Sequence, residues 1–318
     1  MSHSNLCLET SAPARCSYRK QMISEIEELF RRQVQKWPRF AKGVEGLAQA
    51  ETRPEWIDWF EVFVRHIPHR VTSTTAAVDR ESVAKRPCFL CAENLDPEEE
   101  GIPFGRDFTM YFNPYPIVDR HLTIVHHKHI LQEIANHIGS MLDLAAALPG
   151  YFVIYNGPEC GASAPDHMHF QAGSRVLFPI EKETAGVTGI IVPDYARTVL
   201  LFRGAERSAL THRIGQAIAL LAEATGKRPE PLINIAAFYE KRQWTVYLFP
   251  RQKHRPEVFY SGELTVSPAS IDLCGIFVVP LAKDFEKIRG GTIAAIFREV
   301  SLPQDQVEEI ALKLESDR

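Results

Sequence analysis

Apolar positions near the start of the chain fall into a helical rhythm. Between Gln21 and Trp37 they stand at Met22, Ile23, Ile26, Leu29, Phe30, Val34 and Trp37, with acidic residues early and basic ones later. That spacing and charge order predict an amphipathic helix that stops at Pro38. Pro54, the aromatic stretch Trp56-Ile57-Asp58-Trp59-Phe60 and a polar run from Thr72 to Thr75 come next. Residues 1–60 read as an N-terminal helical extension of the main body. The rhythm then shortens to β-rich pieces at Phe108–Phe112, Leu122–Val125 and Phe152–Tyr155, punctuated by the turn Asn113-Pro114-Tyr115-Pro116. Between the last two, the apolar spacing of Ile130–Leu148 and its closing Pro149-Gly150 suit a helix. The second half repeats this grammar with a helix near Arg207–Thr225, strands near Ile233–Phe238, Trp244–Phe249 and Ile276–Val279, and helices near Ile293–Phe297 and Gln304–Leu314. The class expected is α+β, an antiparallel sheet with helices laid on it, in two tandem related halves.

Composition narrows the partners. The 318 residues are 45% apolar and 24% charged, with a net charge of -4 and no polybasic stripe, so neither nucleic acid nor an anionic membrane is suggested as a bulk partner. The first twenty residues lack an apolar core like that of a signal peptide, and no apolar run approaches the ~20 residues of a membrane helix. A cytoplasmic protein, monomer or homodimer, is expected. Of six cysteines, Cys7 and Cys16 sit in the polar leader, Cys160 and Cys274 stand alone, and Cys88 and Cys91 form a close pair. In a chain of this size that pattern means thiols and a metal or redox pair, not a disulfide framework.

Chemistry concentrates in His167-Met168-His169-Phe170-Gln171. As a strand, this run presents His167, His169 and Gln171 on one face and sends Met168 and Phe170 to the core. The loop before it, Asn156 to Asp166, is rich in Gly, Pro and small residues, including Gly157 and Gly161, which suits close approach of backbone N–H groups to an anion. A neutral imidazole there can attack phosphorus through one nitrogen while the other donates its proton to an acceptor. Cys88-Phe89-Leu90-Cys91 offers two thiolates to one tetrahedral ion; with no second CxxC in the chain, histidines must complete the set, and His129 and His167 are the candidates. A redox pair and two inert buried thiols are the alternatives.

Three pieces together, Pro87–Cys91, Asn113–Ile130 and Asn156–Gln171, resemble the histidine-triad superfamily. Within it they resemble the branch of galactose-1-phosphate uridylyltransferase, GDP-galactose phosphorylase and diadenosine tetraphosphate phosphorylase. The resemblance implies a histidine-triad-like catalytic half at 61–180 and a second such half at 181–318. It implies His169 as a nucleophile that becomes nucleotidylated, Gln171 as phosphate ligand, and Asn156 and Ser163 as residues orienting the histidine and the leaving phosphate. Asn113, Gly157 and Gly161 join the substrate-binding set. It also implies structural zinc on Cys88, Cys91, His129 and His167. Two departures stand out: Ser163-Ala164-Pro165-Asp166-His167 is one residue longer than the usual Ser-x-Pro-His, and Gln171 replaces the third histidine of the triad. The run Phe249–Pro256, a basic knot in an acidic protein, resembles a region of the phosphorylases, and Arg251, Lys253 and Arg255 are expected to hold phosphates. The expected activity is nucleotidyl transfer or phosphorolysis of a nucleotide sugar or dinucleoside polyphosphate, with phosphate or a sugar phosphate as acceptor. The alternatives are a hydrolase using the same histidine and a non-catalytic, zinc-stabilised nucleotide-binding protein.

Overall fold

In a computed structural model of the chain, residues 12–175, 178–192 and 195–316 are described; Cys7 and its stretch of leader lie outside them. The first helix, α1, runs over Ala12–Lys36 and α2 over Pro38–Ala48. Pro38 thus ends one helix and opens the next, where a missing N–H costs nothing. Strands β1 (Glu51–Ile57) and β2 (Phe60–His66) form a hairpin across Asp58, whose φ of 50° makes the tight turn. This hairpin pairs with β11 (Ile276–Val279), parallel to β2, in a three-stranded sheet. The aromatic stretch therefore joins the far end of the chain, through strands that the helical reading of the first 60 residues did not contain.

The main sheet has eight antiparallel strands. These are β3 (Gly101–Phe104), β4 (Phe108–Phe112), β5 (Leu122–His126), β6 (Tyr151–Asn156), β7 (His169–Ser174), β8 (Leu200–Gly204), β9 (Ile233–Glu240) and β10 (Gln243–Pro250). Their spatial order is β3-β4-β5-β7-β6-β9-β10-β8. The two halves of the chain meet where β6 pairs with β9, Asn156 opposite Asn234, so a single sheet runs through both. One face carries Ile124, Phe170, Val153, Ile235 and Leu248 into a core under α1, α3 (Ile138–Ala147), α4 (Arg207–Thr225) and α6 (Gln304–Ser316). The other face sends Phe152, Ile154, Ala236 and Phe249 into a second core with β2, β11 and α5 (Gly290–Val300). Over β4, β5 and β7 that second face is not covered by the core, and a cleft opens there.

The helix expected over 130–148 is present only from Ile138. Ile130 and Gln132 instead pair with the approach to β7: the Met168 N–H donates to Ile130 O (2.8 Å) and the Gln132 N–H to Pro165 O (3.3 Å). The Gln132 side chain is fully buried and fills a gap between β6 and β7. Their ladder ends at Ile154–Gln171. Two residues on, where Asn156 and His169 would face one another, the Gln132 amide donates to Asn156 O (2.9 Å) and His169 O (3.0 Å) and accepts from the His169 N–H (2.8 Å). Helical geometry at Gln132 would leave three buried backbone groups unmet, at about 1–3 kcal/mol each.

Gln132 is itself pinned from behind. The Tyr155 hydroxyl lies 3.1 Å from Gln132 O and 2.6 Å from Glu230 Oε1, and Glu230 Oε2 accepts the Ile134 N–H at 2.8 Å. Burial pushes the Glu230 carboxyl up to about 7. Protonated, it donates to the Tyr155 oxygen, and the tyrosine proton then goes to Gln132 O. Because the folded value lies above the unfolded one, this group contributes stability fully below about 4.5 that is lost as pH rises through 7. Wild type is therefore expected to lose stability between pH 5 and pH 8 relative to Glu230→Gln, measured by urea unfolding at both; parallel pH dependence of the two proteins would refute the pinned carboxyl.

Candidate functional site

Only the last three residues of the HMHFQ run join the strand; His167 lies in the bend before it and turns to the cysteines, so the expected common face holds for His169 and Gln171 but not for His167. Met168 and Phe170 are fully buried in the helix-side core, and His169 and Gln171 point to the opposite face, at the floor of a cleft of about 560 Å³. Its walls include Phe89, Leu90, Tyr111, Phe112 and Tyr115, with Asn113, Thr123 and Ser163 among the polar groups. Arg39 from α2 lines its far end, so the N-terminal helices contribute to the cleft as well.

His169 is held in one tautomer. Its Nδ1 lies 2.8 Å from His167 O, a carbonyl that can only accept, so Nδ1 carries the proton and Nε2 keeps a free lone pair. Burial drives the pKa down to about 4, which leaves the ring neutral at physiological pH. A ring in that state offers a lone pair at Nε2 without needing a base to deprotonate it.

Gln171 is oriented by His121, a residue the sequence reading passed over. His121 is buried and accepts the Ile117 N–H at Nδ1 (3.2 Å), so Nε2 carries the proton and donates it to Gln171 Oε1 (2.9 Å). The Gln171 amide NH₂ is then available as a donor at the cleft floor. Burial, with Arg70 nearby, takes the His121 pKa down to about 3, so this donor does not switch off or gain charge near neutrality. In the sequence His121 stands just before the β5 run, inside the Asn113–Ile130 piece, with no role assigned to it.

Near His169, Cys88, Cys91, His129 and His167 bring one donor atom each to within 4.8 Å of one another. Cys91 Sγ lies 3.1 Å from His129 Nδ1 and 3.6 Å from His167 Nδ1, and Cys88 Sγ lies 3.3 Å from His167 Nδ1. Tetrahedral bonds of about 2.3 Å to sulfur and 2.0 Å to nitrogen place such atoms about 3.5 Å apart, so the set fits one small tetrahedral ion. The His tautomers agree. His167 Nε2 donates to His126 O at 2.8 Å, turning a bare Nδ1 to the cysteines, and His129 Nε2 sits 3.5 Å from the Asp166 carboxylate. Burial and the neighbouring Cys88 push the Cys91 thiol up to about 11, so paired thiolates here need a cation.

The other expected residues divide. Ser163 lines the cleft, its carbonyl held by Arg86 at 2.7 Å, and also lines a smaller chamber of about 60 Å³. Asn156 and Gly161 border that chamber, Gly161 with a φ of +96° that side chains disfavour. Asn156 is buried, its Oδ1 accepting from Asn234 Nδ2 (2.8 Å) and from the Ser270 N–H (3.0 Å) and hydroxyl (2.7 Å). Gly157 lines neither cavity. Its N–H is spent on Ile233 O, and a Cβ there would stand 2.8 Å from that same oxygen, so its role is close packing and not anion contact. Asn113 makes an Asx turn, accepting the Tyr115 N–H at 2.9 Å and donating to Thr123 Oγ1 at 3.1 Å.

The basic knot is corrected most. Arg251 is fully buried and gives its guanidinium to Asn234 Oδ1 and to the carbonyls of Val300, Pro268, Lys253 and His254, so no donor is left for a phosphate. Lys253 is exposed, lies outside both cavities and pairs with Glu299 at 2.9 Å. Arg255 alone of the three lines the small chamber; it donates to Ser267 Oγ and to the carbonyls of Thr74 and Ala76.

In sequence, residues 29–174 match the family described as "Domain of unknown function (DUF4922)", and residues 175–315 the family described as "GDPGP1-like, C-terminal domain". Among solved structures, the yeast Ap4A phosphorylase Apa2 is similar at 14% identity and a TM-score of 0.55, over 80% of this chain and 90% of that one. The same yeast enzyme in complex with AMP gives 14% and 0.56 over 90% and 97%, and in complex with Ap4A 14% and 0.54 over 83% and 96%. At that identity the likeness is one of fold. No curated protein matches the chain in sequence. Among the described residues, no helix is long and apolar enough to cross a membrane.

The nitrogen NMR signals of His169 test the site directly. They are expected to report a neutral ring protonated at Nδ1 from pH 8 down to pH 5, titrating near pH 4. A midpoint above 6, or a proton on Nε2, would rule the assigned tautomer out.

Proposed function

We propose that the chain belongs to the nucleotidyltransferase and phosphorylase branch of the histidine-triad superfamily, in keeping with the GDPGP1-like C-terminal match over residues 175–315 and the shared fold, and that it is a phosphorylase acting through a nucleotidyl-histidine at His169. One observation carries the reading: a buried neutral imidazole whose Nδ1–H is fixed on His167 O turns a bare Nε2 toward a nucleotide-sized cleft, beside an oriented amide donor.

In the first displacement, Nε2 attacks the α-phosphorus of a nucleotide sugar or dinucleoside polyphosphate. The P–O bond to the leaving phosphate breaks, and its electron pair leaves with that group. The ring becomes a phosphorylated imidazolium that keeps its Nδ1 proton, and the His167 carbonyl offsets the new positive charge. Gln171 donates to a non-bridging oxygen of the transferred phosphate, with Ser163 beside it. In the second displacement an acceptor phosphate or sugar phosphate takes the nucleotidyl group, and the electron pair of the P–N bond returns to Nε2. The aromatic walls of the cleft suit a nucleoside, in keeping with the AMP and Ap4A bound by the yeast relative.

Cys88, Cys91, His129 and His167 would hold a structural zinc ion, the metal that a Cys₂His₂ set favours. Such an ion draws both thiols into thiolate form and fixes the start of β7. Four described cysteines are free, and a reducing compartment such as the cytoplasm fits them.

Incubation with a panel of nucleotide sugars and dinucleoside polyphosphates, read by intact-mass spectrometry, is expected to show one nucleotidyl adduct on the wild type and none on His169→Ala. Turnover of that variant should fall by on the order of 10⁴–10⁶. Retained activity would refute the nucleophile, and turnover without any acceptor phosphate would make the protein a hydrolase. Metal analysis of the purified protein should give about one zinc per chain, lost in Cys91→Ser; active protein with a value near zero would refute the metal site.

A further inference from the structure

The small chamber lies next to the cleft and shares with it Arg70, Ser73, Ser163 and Gln171. A phosphate bound to Gln171 and attacked by His169 therefore stands at the mouth between the two cavities. The nucleoside has the large cleft on one side, and whatever is bonded to the far oxygen of that phosphate has the chamber on the other.

Arg70 keeps donors that no described residue takes up, although the Asp272 carboxyl on the same chamber acts on its charge from beyond ion-pair distance. It donates to Tyr115 O at 2.9 Å through one terminal nitrogen, while its Nε is shut off from solvent with no partner. Among the described residues no carboxylate lies within ion-pair distance of it. Burial lowers its pKa to about 10, which still leaves it charged at neutral pH. Across the chamber, Arg255 adds a second positive charge and His254 presents a buried Nε2 that also lacks a partner. One carboxyl, Asp272, borders the space, but its oxygens accept the Val278 and Ala269 N–H groups at 2.8 and 2.9 Å.

Size limits what can enter. About 60 Å³ holds roughly four to six water-sized groups, which matches the five heavy atoms of one phosphate. A hexose ring does not fit as well, and must lie outside.

We propose that this chamber seats the phosphate that exchanges with His169, the first phosphate of the leaving group on its way out and acceptor orthophosphate on its way in, with Arg70 as its principal anchor. The proposal rests on the nucleotidyl-histidine reading above. In the return step an orthophosphate oxygen attacks the nucleotidyl phosphorus, a P–O bond forms and the P–Nε2 bond breaks. The electron pair returns to a neutral ring that still carries its Nδ1 proton, and the product is a nucleoside diphosphate. Arg70 neutralises the incoming anion, and its planar fork sets the direction of attack.

The test is a single-turnover chase. Wild type, Arg70→Gln and Arg70→Lys are labelled with whichever nucleotide of the panel modifies His169, freed of excess nucleotide, and mixed with increasing orthophosphate while intact mass follows loss of the adduct. Arg70→Gln is expected to need about ten to a hundred times more orthophosphate for half-maximal discharge. Arg70→Lys, which keeps the charge and loses the fork, should fall between. Wild-type phosphate dependence in both variants overturns the proposal. Labelling itself reports that a variant is folded, and if Arg70→Gln takes no label, Arg70→Lys carries the same measurement. A wild type that no nucleotide labels instead overturns the nucleotidyl-histidine reading, and this subsite with it.

Discussion

The site depends on a ladder that is interrupted on purpose. Strands β6 and β7 pair as far as Ile154 and Gln171 and then part, and the Gln132 amide takes the place of the backbone bonds that Asn156 and His169 would have made with each other. One side chain meets three buried backbone groups, so the gap exists without orphaned donors or acceptors. The separation frees the approach to β7 from the sheet, and His167 turns out of register to join the two cysteines. It also leaves Asn156 free to reach the second half. The pin behind Gln132 runs through Tyr155 to Glu230, so the two halves of the chain jointly set how far the strands part.

That joint construction extends to the cavity itself. His169, Gln171 and the Cys/His cluster all come from the first half, but much of the wall of the small chamber comes from the second, through His254, Arg255, Ser267 and Asp272. Arg251 explains how the wall stays in place. It is fully buried without a carboxylate and gives its donors to four carbonyls and to Asn234, which in turn holds Asn156 at the end of β6. A buried guanidinium with every donor used acts as a rigid bracket between loops, and removing it would strand several carbonyls at once. Its basic neighbours in the sequence face solvent or the chamber, so one short run serves three different purposes.

How much of this the sequence disclosed depends on the range of the interaction. The alternation of HMHFQ placed His169 and Gln171 on one face with Phe170 opposite, because a strand's period of two leaves no other arrangement, whereas His167 precedes the strand and faces the cysteines. The CxxC spacing and two histidines named four residues that the fold does bring together. Strands bounded by Pro and Gly were visible too, and β11 was read at its observed limits. One failure is a side chain doing the work of backbone. Gln132 fits the apolar spacing of a helix around it, and nothing local says that its amide will fill a gap between strands remote in sequence. Arg251, Lys253 and Arg255 look alike in a string of residues, and burial alone separates them. His121 lies inside one of the motif pieces but gained no role there, since it acts through a partner at long range, Gln171, and Arg70, outside all three pieces, lines the chamber through the fold alone. The expectation that loop N–H groups would receive an anion also weakens, because those of Gly157, Cys160 and Ala162 are already bonded within the protein.

His167 links the Cys/His cluster to the His169 ring. The His167 ring faces Cys88 and Cys91 through Nδ1, and its carbonyl, a few bonds away, accepts the proton of His169 Nδ1. Fixing the ring fixes the peptide, and fixing the peptide fixes the tautomer that leaves Nε2 bare. A cation in the cluster would therefore act on the chemistry without touching the substrate, by holding a hydrogen-bond acceptor still. Asp166, next in the chain and beside His129, ties the other side of the cluster to the same peptide. The extra residue between Ser163 and His167 falls in this stretch, where the loop has to reach both the cluster and the mouth of the chamber. The added length is thus accommodated on the side facing the cluster and the cleft, while His169, clamped by Gln132 on both its N–H and its C=O, keeps its place in the sheet.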